Sequence, residues 1–304
     1  MEKKVRDISI EKNTSLRDLL DEMYEAGGFT GKKMASGLKI LEKMKKEECY
    51  TFLSFPACII ATGMRGVIKD LIKKEFIDCI ITTCGTLDHD LARIWKDYYH
   101  GDFNLNDAKL HKEGINRLGN VLVPNESYGE VLEEKLQEIF NGIEEKEYSS
   151  REFIWEIGKQ IQSEDSIIHW AYEKKVPVFV PGITDGAFGF QLWMHAQDRE
   201  LKVNPLKDET ELSDIIYSAE KTGALMIGGG ISKHHTIWWN QFRGGLDYAV
   251  YITTAPEWDG SLSGAKMSEA VSWGKVKEDA KYVTIEGDAT IILPILSLAL
   301  FQER

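Results

Sequence analysis

The sequence predicts an α/β protein: a Rossmann-like, doubly wound parallel sheet with helices on both faces, forming a single large domain. Continuous apolar runs without alternation, such as residues 248–254, are typical of strands buried on both faces. These runs alternate along the chain with segments whose apolar residues recur at helical spacing, such as residues 64–72. The chain has 304 residues and a hydrophobic content of 43%, which is enough for one large core.

The predicted elements follow one another from the N-terminus. Residues 1–28 are charged and end in two glycines, so we expect an arm there that precedes the main domain, 29–304. Within the arm, residues 16–24 can form a short amphipathic helix behind a polar cap. Core strands are predicted at 50–55, 77–83, 120–123, 176–180, 224–227 and 248–254. The polar segment 144–151 is predicted to be a surface loop, and the apolar run 290–300 a buried helix.

Composition and charge exclude several classes of protein. The balance of 37 basic against 49 acidic residues gives a net charge of −12. That balance argues against a nucleic-acid-binding surface and suits a cationic substrate or partner. The four cysteines show no CxxC spacing, so neither a metal site nor a disulfide framework is predicted. There is no apolar signal segment and no window approaches a membrane span, so we expect a cytoplasmic protein.

The most informative stretch follows the strand predicted at 248–254. The composition there changes to polar and small residues, and the carboxyl ends of parallel strands are where open α/β sheets bind ligands. Glu269 and the tripeptide Trp273-Gly274-Lys275 come next. Lys275 could be an amine nucleophile if desolvation or a neighbouring cation keeps it neutral for attack. The alternative is an ordinary lysine on a surface helix.

A run of three glycines, Gly228-Gly229-Gly230, lies between an apolar strand and an amphipathic helix. It would let backbone amides approach a pyrophosphate, or it could be a plain tight turn. No GxGxxG motif follows the first strand, so a dinucleotide would have to be bound by loops from several strands. Asp185, Asp259 and Asp288 stand at predicted strand ends or helix starts, where carboxylates bind ribose hydroxyls or cap helices.

Other side chains could bind an amine substrate. His234 opens the helix after the glycines, where the helix dipole favours a neutral imidazole that can accept a proton. Trp273 could lie over a substrate ammonium, and Glu269 and Asp88 could pair with one. The alternatives are a tryptophan in the core and carboxylates in solvent.

Several long motifs occur in order along the chain and point to one family. They are DGSLSGA followed by EAVSWGK (259–275), GGGISKHH (228–235), GITDGAFG (182–189) and EGINRLGNVLVPNE (113–126). Together they resemble deoxyhypusine synthase, and the chain looks like a divergent, archaeal-type member of that family. The resemblance covers roughly residues 50–300.

The resemblance implies a specific transferase. It would move the 4-aminobutyl group of spermidine, or of a related polyamine, to a lysine of the translation initiation factor 5A precursor. NAD would be used without net consumption, Lys275 would carry the four-carbon amine as an imine, and His234 would assist proton movement. The further substrate-binding residues implied are Asp88, His89, Gly229, Gly260, Ser261, Glu269 and Trp273. The implied NAD contacts are Ala61, Thr83, Cys84, Gly85, Asp185, Gly228, Thr254, Ala255, Asp259, Ser263, Asp288 and Ala289.

The chain departs from the family pattern at His89, Phe190 and Leu262, where the resemblance would place carboxylates for a polyamine. An unpaired buried ammonium is costly, so either the distal amine is bound differently or the donor is not spermidine. The loop at 57–61 also lacks the polar residues expected for cofactor contacts.

Two alternatives to this function stay open. One is a homospermidine synthase-like aminobutyltransferase with a free amine as acceptor. The other is a non-catalytic NAD-binding paralogue, which the intact 269–275 motif disfavours. The family also implies a homotetramer with active sites built between paired subunits. Trp238 and Trp239 offer apolar surface for such an interface, although both could lie in the core.

Overall fold

The computed structural model of the chain describes residues 3–302. Its helices are α1 (Leu16–Ala26), α2 (Phe29–Lys46), α3 (Met64–Lys73), α4 (Gly85–Trp95), α5 (Asp107–Lys112), α6 (Gly129–Asn141), α7 (Ser150–Gln160), α8 (Ile167–Glu173), α9 (Ala187–His195), α10 (Leu206–Ser218), α11 (Gly230–Asn240), α12 (Met267–Ser272) and α13 (Ala289–Phe301). Its strands are β1 (Tyr50–Ser54), β2 (Cys79–Ile81), β3 (Tyr99–His100), β4 (Ile115–Leu118), β5 (Val121–Pro124), β6 (Glu147–Tyr148), β7 (Val178–Phe179), β8 (Lys202–Val203), β9 (Thr222–Ile227), β10 (Leu246–Thr253) and β11 (Val276–Glu286).

The elements group into two compact units. Unit 1 holds the described residues up to Ser54 and from Ser213 onward, and unit 2 holds Phe55–Leu212. In unit 1, β11, β10, β9 and β1 are parallel neighbours in that order. Every residue of β9 is buried, as the apolar run predicted. The predicted α/β class with a mainly parallel sheet is therefore confirmed.

Helices α2, α11 and α13 pack against the sheet of unit 1. Gly37 of α2 lets that helix approach closely, because a Cβ there would lie 2.8 Å from Ile285 Cδ1 of β11. The predicted N-terminal helix is confirmed as α1, whose N-cap is Ser15. Leu20 of α1 is buried. Arg17 of α1 donates to the carbonyls of Ala299 and Gln302, which lie at the C-terminal end of α13 and directly after it. The domain boundary at residue 28 stays a prediction.

Unit 2 contains the parallel pair β2 and β7, a short parallel pair β6 and β8, and the antiparallel sheet β3-β5-β4. The strand predicted at 120–123 is present as β5, but its placement among core strands that alternate with helices was wrong, because β5 is the centre of the antiparallel sheet. The cause is a two-residue turn: Leu118 pairs with Val121, and Gly119 between them has a φ of +62°. The predicted loop at 144–151 was also wrong in part, since it contains β6 and the start of α7.

Within residues 3–302, no helix combines the length and apolar character that crossing a bilayer requires. Among the same residues, no group of three or more His, Cys, Asp or Glu side chains is placed to hold a metal ion.

Candidate active site

Lys275 occupies a fixed position between a helix and a strand of unit 1. Helix α12 ends at Ser272, and Gly274 reverses the chain with a φ of +65°, as glycines after helices commonly do. The Lys275 amide donates to the Ala270 carbonyl at 3.0 Å, and the Lys275 carbonyl accepts from Leu246 at 3.1 Å. Only 8% of the lysine is exposed. Lys275 is therefore a buried residue at the start of β11, and the surface-helix alternative is wrong.

The Lys275 side chain lines a cavity of about 340 Å³, a size suited to a small-molecule ligand. The lining residues come from α11, from α12 and from the segments on either side of α12. They are Lys233, His234, Ile237, Trp238, Leu262, Ala265, Lys266, Met267, Glu269, Ala270, Trp273 and Lys275. The structure thus brings together Lys275, His234, Glu269 and Trp273, four of the residues predicted from the sequence.

Aromatic rings stand around the Lys275 ammonium. Its Nζ lies 5.3 Å from the ring centroid of Trp273 and 5.9 Å from that of Trp238. Trp238 in turn stacks on His234, with ring centroids 5.8 Å apart and planes inclined by 23°. Trp273 is 67% exposed, so the alternative that it belongs to the core is wrong. Two indole faces are thus available to a cation in the cavity.

His234 lies in the second turn of α11, which begins at Gly230. Burial lowers the pKa of His234 below its ordinary value, and the nearby Lys275 charge lowers it further. The direction agrees with the sequence prediction, but the causes are desolvation and a neighbouring cation. The imidazole is therefore neutral near pH 7 and can accept a proton.

The segment 259–265 is folded back on itself and packed against the glycine run. The amide and hydroxyl of Ser261 both donate to Asp259 Oδ1 at 2.7 Å. The Ser263 carbonyl accepts from the Tyr251 hydroxyl at 2.5 Å and from the Thr253 hydroxyl at 2.9 Å. A Cβ at Gly229 would lie 2.4 Å from Ser263 Cα. Glycine at 229 thus permits the close approach of the two loops.

Sequence reasoning missed Lys233, which is 1% exposed and lines the same cavity. Its Nζ donates to the carbonyls of Leu262 at 2.9 Å and Ala265 at 2.6 Å. Burial lowers the pKa of Lys233 to about 7, while Glu269 acts in the opposite direction. Little in the sequence signals this burial: residues 233, 236, 237 and 240 form one buried face of α11, but only Ile237 among them is apolar.

The predicted cofactor residues of unit 1 lie at the carboxyl ends of adjacent parallel strands. Gly228 follows β9, Thr254 and Ala255 follow β10, and Asp288 and Ala289 follow β11. Gly228 and Gly230 have φ angles of +62° and +71°, and a Cβ at Gly230 would meet nothing within 4 Å. Asp288 caps α13, where it accepts from Thr290 at 2.7 Å. An open glycine turn beside helix starts fits the phosphates and ribose of a dinucleotide.

Unit 2 carries the remaining predicted cofactor residues. Thr83, Cys84 and Gly85 follow β2, and Asp185 follows its parallel neighbour β7. Burial raises the pKa of the Cys84 thiol to about 12, so the thiol is uncharged. Ala61 ends a short 3₁₀ helix, Ala57–Ala61.

Asp88 and His89 of unit 2 are both engaged with protein groups. Asp88 is 1% exposed and accepts hydrogen bonds from the Tyr128 hydroxyl at 2.7 Å and from the first two amides of α9. His89 packs against Tyr128 and shares a 2.9 Å hydrogen bond with the Tyr98 hydroxyl. Burial lowers the pKa of His89 to about 4, so its imidazole is neutral. Their roles in substrate binding stay predictions.

The fold and the cavity define an α/β protein with a buried lysine among aromatic side chains, an arrangement suited to amine chemistry. Comparison with known proteins gives the family. The model of the family described as deoxyhypusine synthase matches residues 18–300. The chain is 58% identical over 295 residues to the "probable deoxyhypusine synthase" of Picrophilus torridus, covering 96% of this chain and 95% of that protein.

It is also 52% identical over 302 residues to the "probable deoxyhypusine synthase" of Sulfurisphaera tokodaii, covering 97% and 96% of the two chains. A solved structure of a putative deoxyhypusine synthase from Entamoeba histolytica has the same fold, with a TM-score of 0.67, 19% identity, and coverage of 97% and 96%. The chain belongs to the deoxyhypusine synthase family. It is therefore a transferase of the kind that forms hypusine by aminobutyl transfer.

Proposed function

We propose that this chain transfers the 4-aminobutyl group of spermidine, through an imine on Lys275, to a lysine of the translation initiation factor 5A precursor. The observation that supports this most directly is the buried Lys275 in a cavity with two exposed tryptophans, a neutral imidazole and one carboxylate. A covalent amine catalyst needs such a partly desolvated lysine beside a proton acceptor.

Each residue of the cavity has a part in the proposed chemistry. Lys275 Nζ forms the imine with the four-carbon amine, while the bond to the secondary nitrogen of the donor breaks and the three-carbon diamine leaves. His234 accepts a proton as the donor amine is oxidised, which its lowered pKa permits. Trp273 and Trp238 bind cationic nitrogen through their ring faces, and Glu269 pairs with an ammonium.

The oxidation and the later reduction of the imine require a hydride acceptor and donor, and that is the chemistry that bound NAD supplies. In unit 1, Gly228, Thr254, Ala255, Asp288 and Ala289 are proposed to bind it, together with Asp259 and Ser263 of the adjoining segment. In unit 2, Ala61, Thr83, Cys84, Gly85 and Asp185 are proposed contacts.

The experiment that tests the function uses NAD and spermidine labelled in its four-carbon arm, with and without the factor 5A precursor. Label on the precursor supports the proposal. Label only in small molecules would favour the homospermidine synthase-like alternative, and no transfer with NAD still bound would favour a non-catalytic paralogue. Borohydride treatment in the presence of donor should add a four-carbon amine to Lys275.

Assembly is a further part of the proposal. Trp238 is 40% exposed on α11, close to Lys275, so a partner subunit that covers it would also close the cavity. We expect a homotetramer by light scattering at assay concentrations. A stable and active monomer would contradict this expectation.

A further inference from the structure

We infer that Lys233 is a positioning residue, which anchors the segment 261–265 so that this wall of the cavity has its shape before the donor arrives. The inference rests on the proposed function, because the donor it refers to is the polyamine of that reaction. It adds a role for a lysine that forms no bond to substrate.

One side chain, that of Lys233, forms hydrogen bonds with two carbonyls of the segment. Lys233 Nζ donates to the carbonyls of Leu262 and Ala265, which flank Ser263 and Gly264. The Ser263 carbonyl between them is held by Tyr251 and Thr253 of β10. The segment is therefore tied to the core from two elements, α11 and β10.

The surroundings of Lys233 explain why a lysine stands there. The residue is almost completely buried, and its Nζ lies 3.7 Å from the ring centroid of Tyr251, which is itself buried. The N–H donors of Nζ thus face two carbonyls and one aromatic ring. Without this amine, two partly buried carbonyls at the cavity wall would lose their donors, which is costly.

The segment depends on such anchors because it has no helix or strand of its own. Ser261 is exposed, and Gly260, directly before the segment, is exposed as well and has a φ of +72°. Ordering a segment of this kind costs conformational entropy for each residue fixed. An anchor that is already in place removes part of that cost from donor binding.

The first measurement is amide hydrogen exchange of the wild-type protein over residues 259–266, followed by the same measurement on Lys233→Ala and Lys233→Met. We expect protection in the wild type and faster exchange confined to this segment in both variants, while helix α7, which has buried residues of its own, keeps its protection. A wild-type segment that exchanges like an unprotected loop would overturn the inference, as would unchanged exchange in both variants.

Kinetics supply the second measurement. With two donors removed, KM for spermidine should rise about tenfold or more, while kcat changes much less. The borohydride adduct should stay on Lys275 in every variant. An adduct on Lys233 in the wild type would show that Lys233 is a nucleophile and would overturn the positioning role.

Chemical rescue separates a lost anchor from general damage. Propylammonium carries N–H donors and can enter the space that Lys233→Ala leaves, so it should lower KM toward the wild-type value. Tetramethylammonium carries the charge without a donor and should not. Equal effects of both cations would contradict the hydrogen-bonding role.

The two proposals can fail separately. If the wild type transfers no label from spermidine, the proposed function fails, while hydrogen exchange still tests the anchor. If transfer is normal in Lys233→Met and the segment stays protected, the positioning role of Lys233 is rejected while the proposed function stands.

Discussion

Replacing Asp88 tests whether its carboxylate supports the fold, as its hydrogen bonds indicate. Asp88 Oδ2 accepts from the Tyr128 hydroxyl at 2.7 Å and from the Ala187 amide at 3.1 Å, and Oδ1 accepts from the Phe188 amide at 2.7 Å. Asp88→Ala removes all three bonds. Loss of a helix N-cap costs about 1 kcal/mol. The unpaired phenol hydroxyl adds about 1–3 kcal/mol.

We therefore expect Asp88→Ala to lower the free energy of unfolding by about 2–4 kcal/mol, and the Tm by about 3–6 °C. The pKa of Asp88 is raised, mainly because burial disfavours the charged carboxylate. Removing this carboxylate also removes that unfavourable desolvation, which limits the loss of stability. Denaturant titration and thermal unfolding measure the effect. Asp198→Ala, at an exposed residue beyond α9, is the matched control and should stay within about 0.5 kcal/mol of wild type.

A Tm of Asp88→Ala equal to that of the wild type would refute this reasoning. If stability were unchanged and only KM for the donor rose, Asp88 would act as an amine ligand and not as a cap. Asp88→Asn is informative as well, since it keeps one acceptor oxygen and should fall between the two.

Three other predictions concern the proposed chemistry. Lys275→Ala should abolish transfer while NAD binding, followed by fluorescence titration, stays largely intact; robust transfer by this variant would end the assignment of the nucleophile. The pKa of His234, measured by NMR, should lie below 6.5, since burial and the Lys275 charge both disfavour the protonated ring. As the pH is lowered, transfer should therefore be lost only at pH values below the ordinary pKa of a histidine. Lys275→Met should raise the pKa of His234 without restoring its ordinary value, because burial is the larger cause of the lowering. A wild-type pKa above 6.5 would contradict the argument. Leu262→Asp, alone and with Phe190→Asp, should lower KM for spermidine by about tenfold or more, since each charged hydrogen bond contributes about 1.5–3 kcal/mol. A donor panel at fixed NAD checks this, and tight spermidine use by the wild type without improvement in the variants would show that other residues bind the amine.

The parallel sheet could be predicted where strands are buried on both faces. β9 and β10 are such strands, and their apolar runs identify them directly. β11 was missed although it has 11 residues, because it carries charges at Lys277, Glu278 and Asp279 along an edge of the sheet. Edge strands are commonly charged, which prevents pairing with other chains but removes the apolar signal. Helices α7, α8 and α10 were missed as well.

Site residues could be predicted from the sequence where they stand in a long motif. They could not be predicted where the role of a side chain depends on which groups surround it in the fold. Lys275 and His234 stand in long motifs, and the structure brings them into one cavity. Lys233 stands in the same motif, yet nothing in its neighbours shows that its ammonium meets the carbonyls of residues 262 and 265. Asp88 shows the same limit, since a sequence cannot tell whether a carboxylate faces an amine or the start of a distant helix.

The close approach of Gly229 to Ser263 has a consequence for how this protein can change over evolution. Because no side chain fits between the two loops, the glycine run sets how far the segment 259–265 stands from the end of β9. A larger residue at 229 would push the segment outward and widen the cavity wall that Leu262 and Ala265 form. Under the proposed function, adaptation to another donor is therefore expected at side chains that point away from this contact.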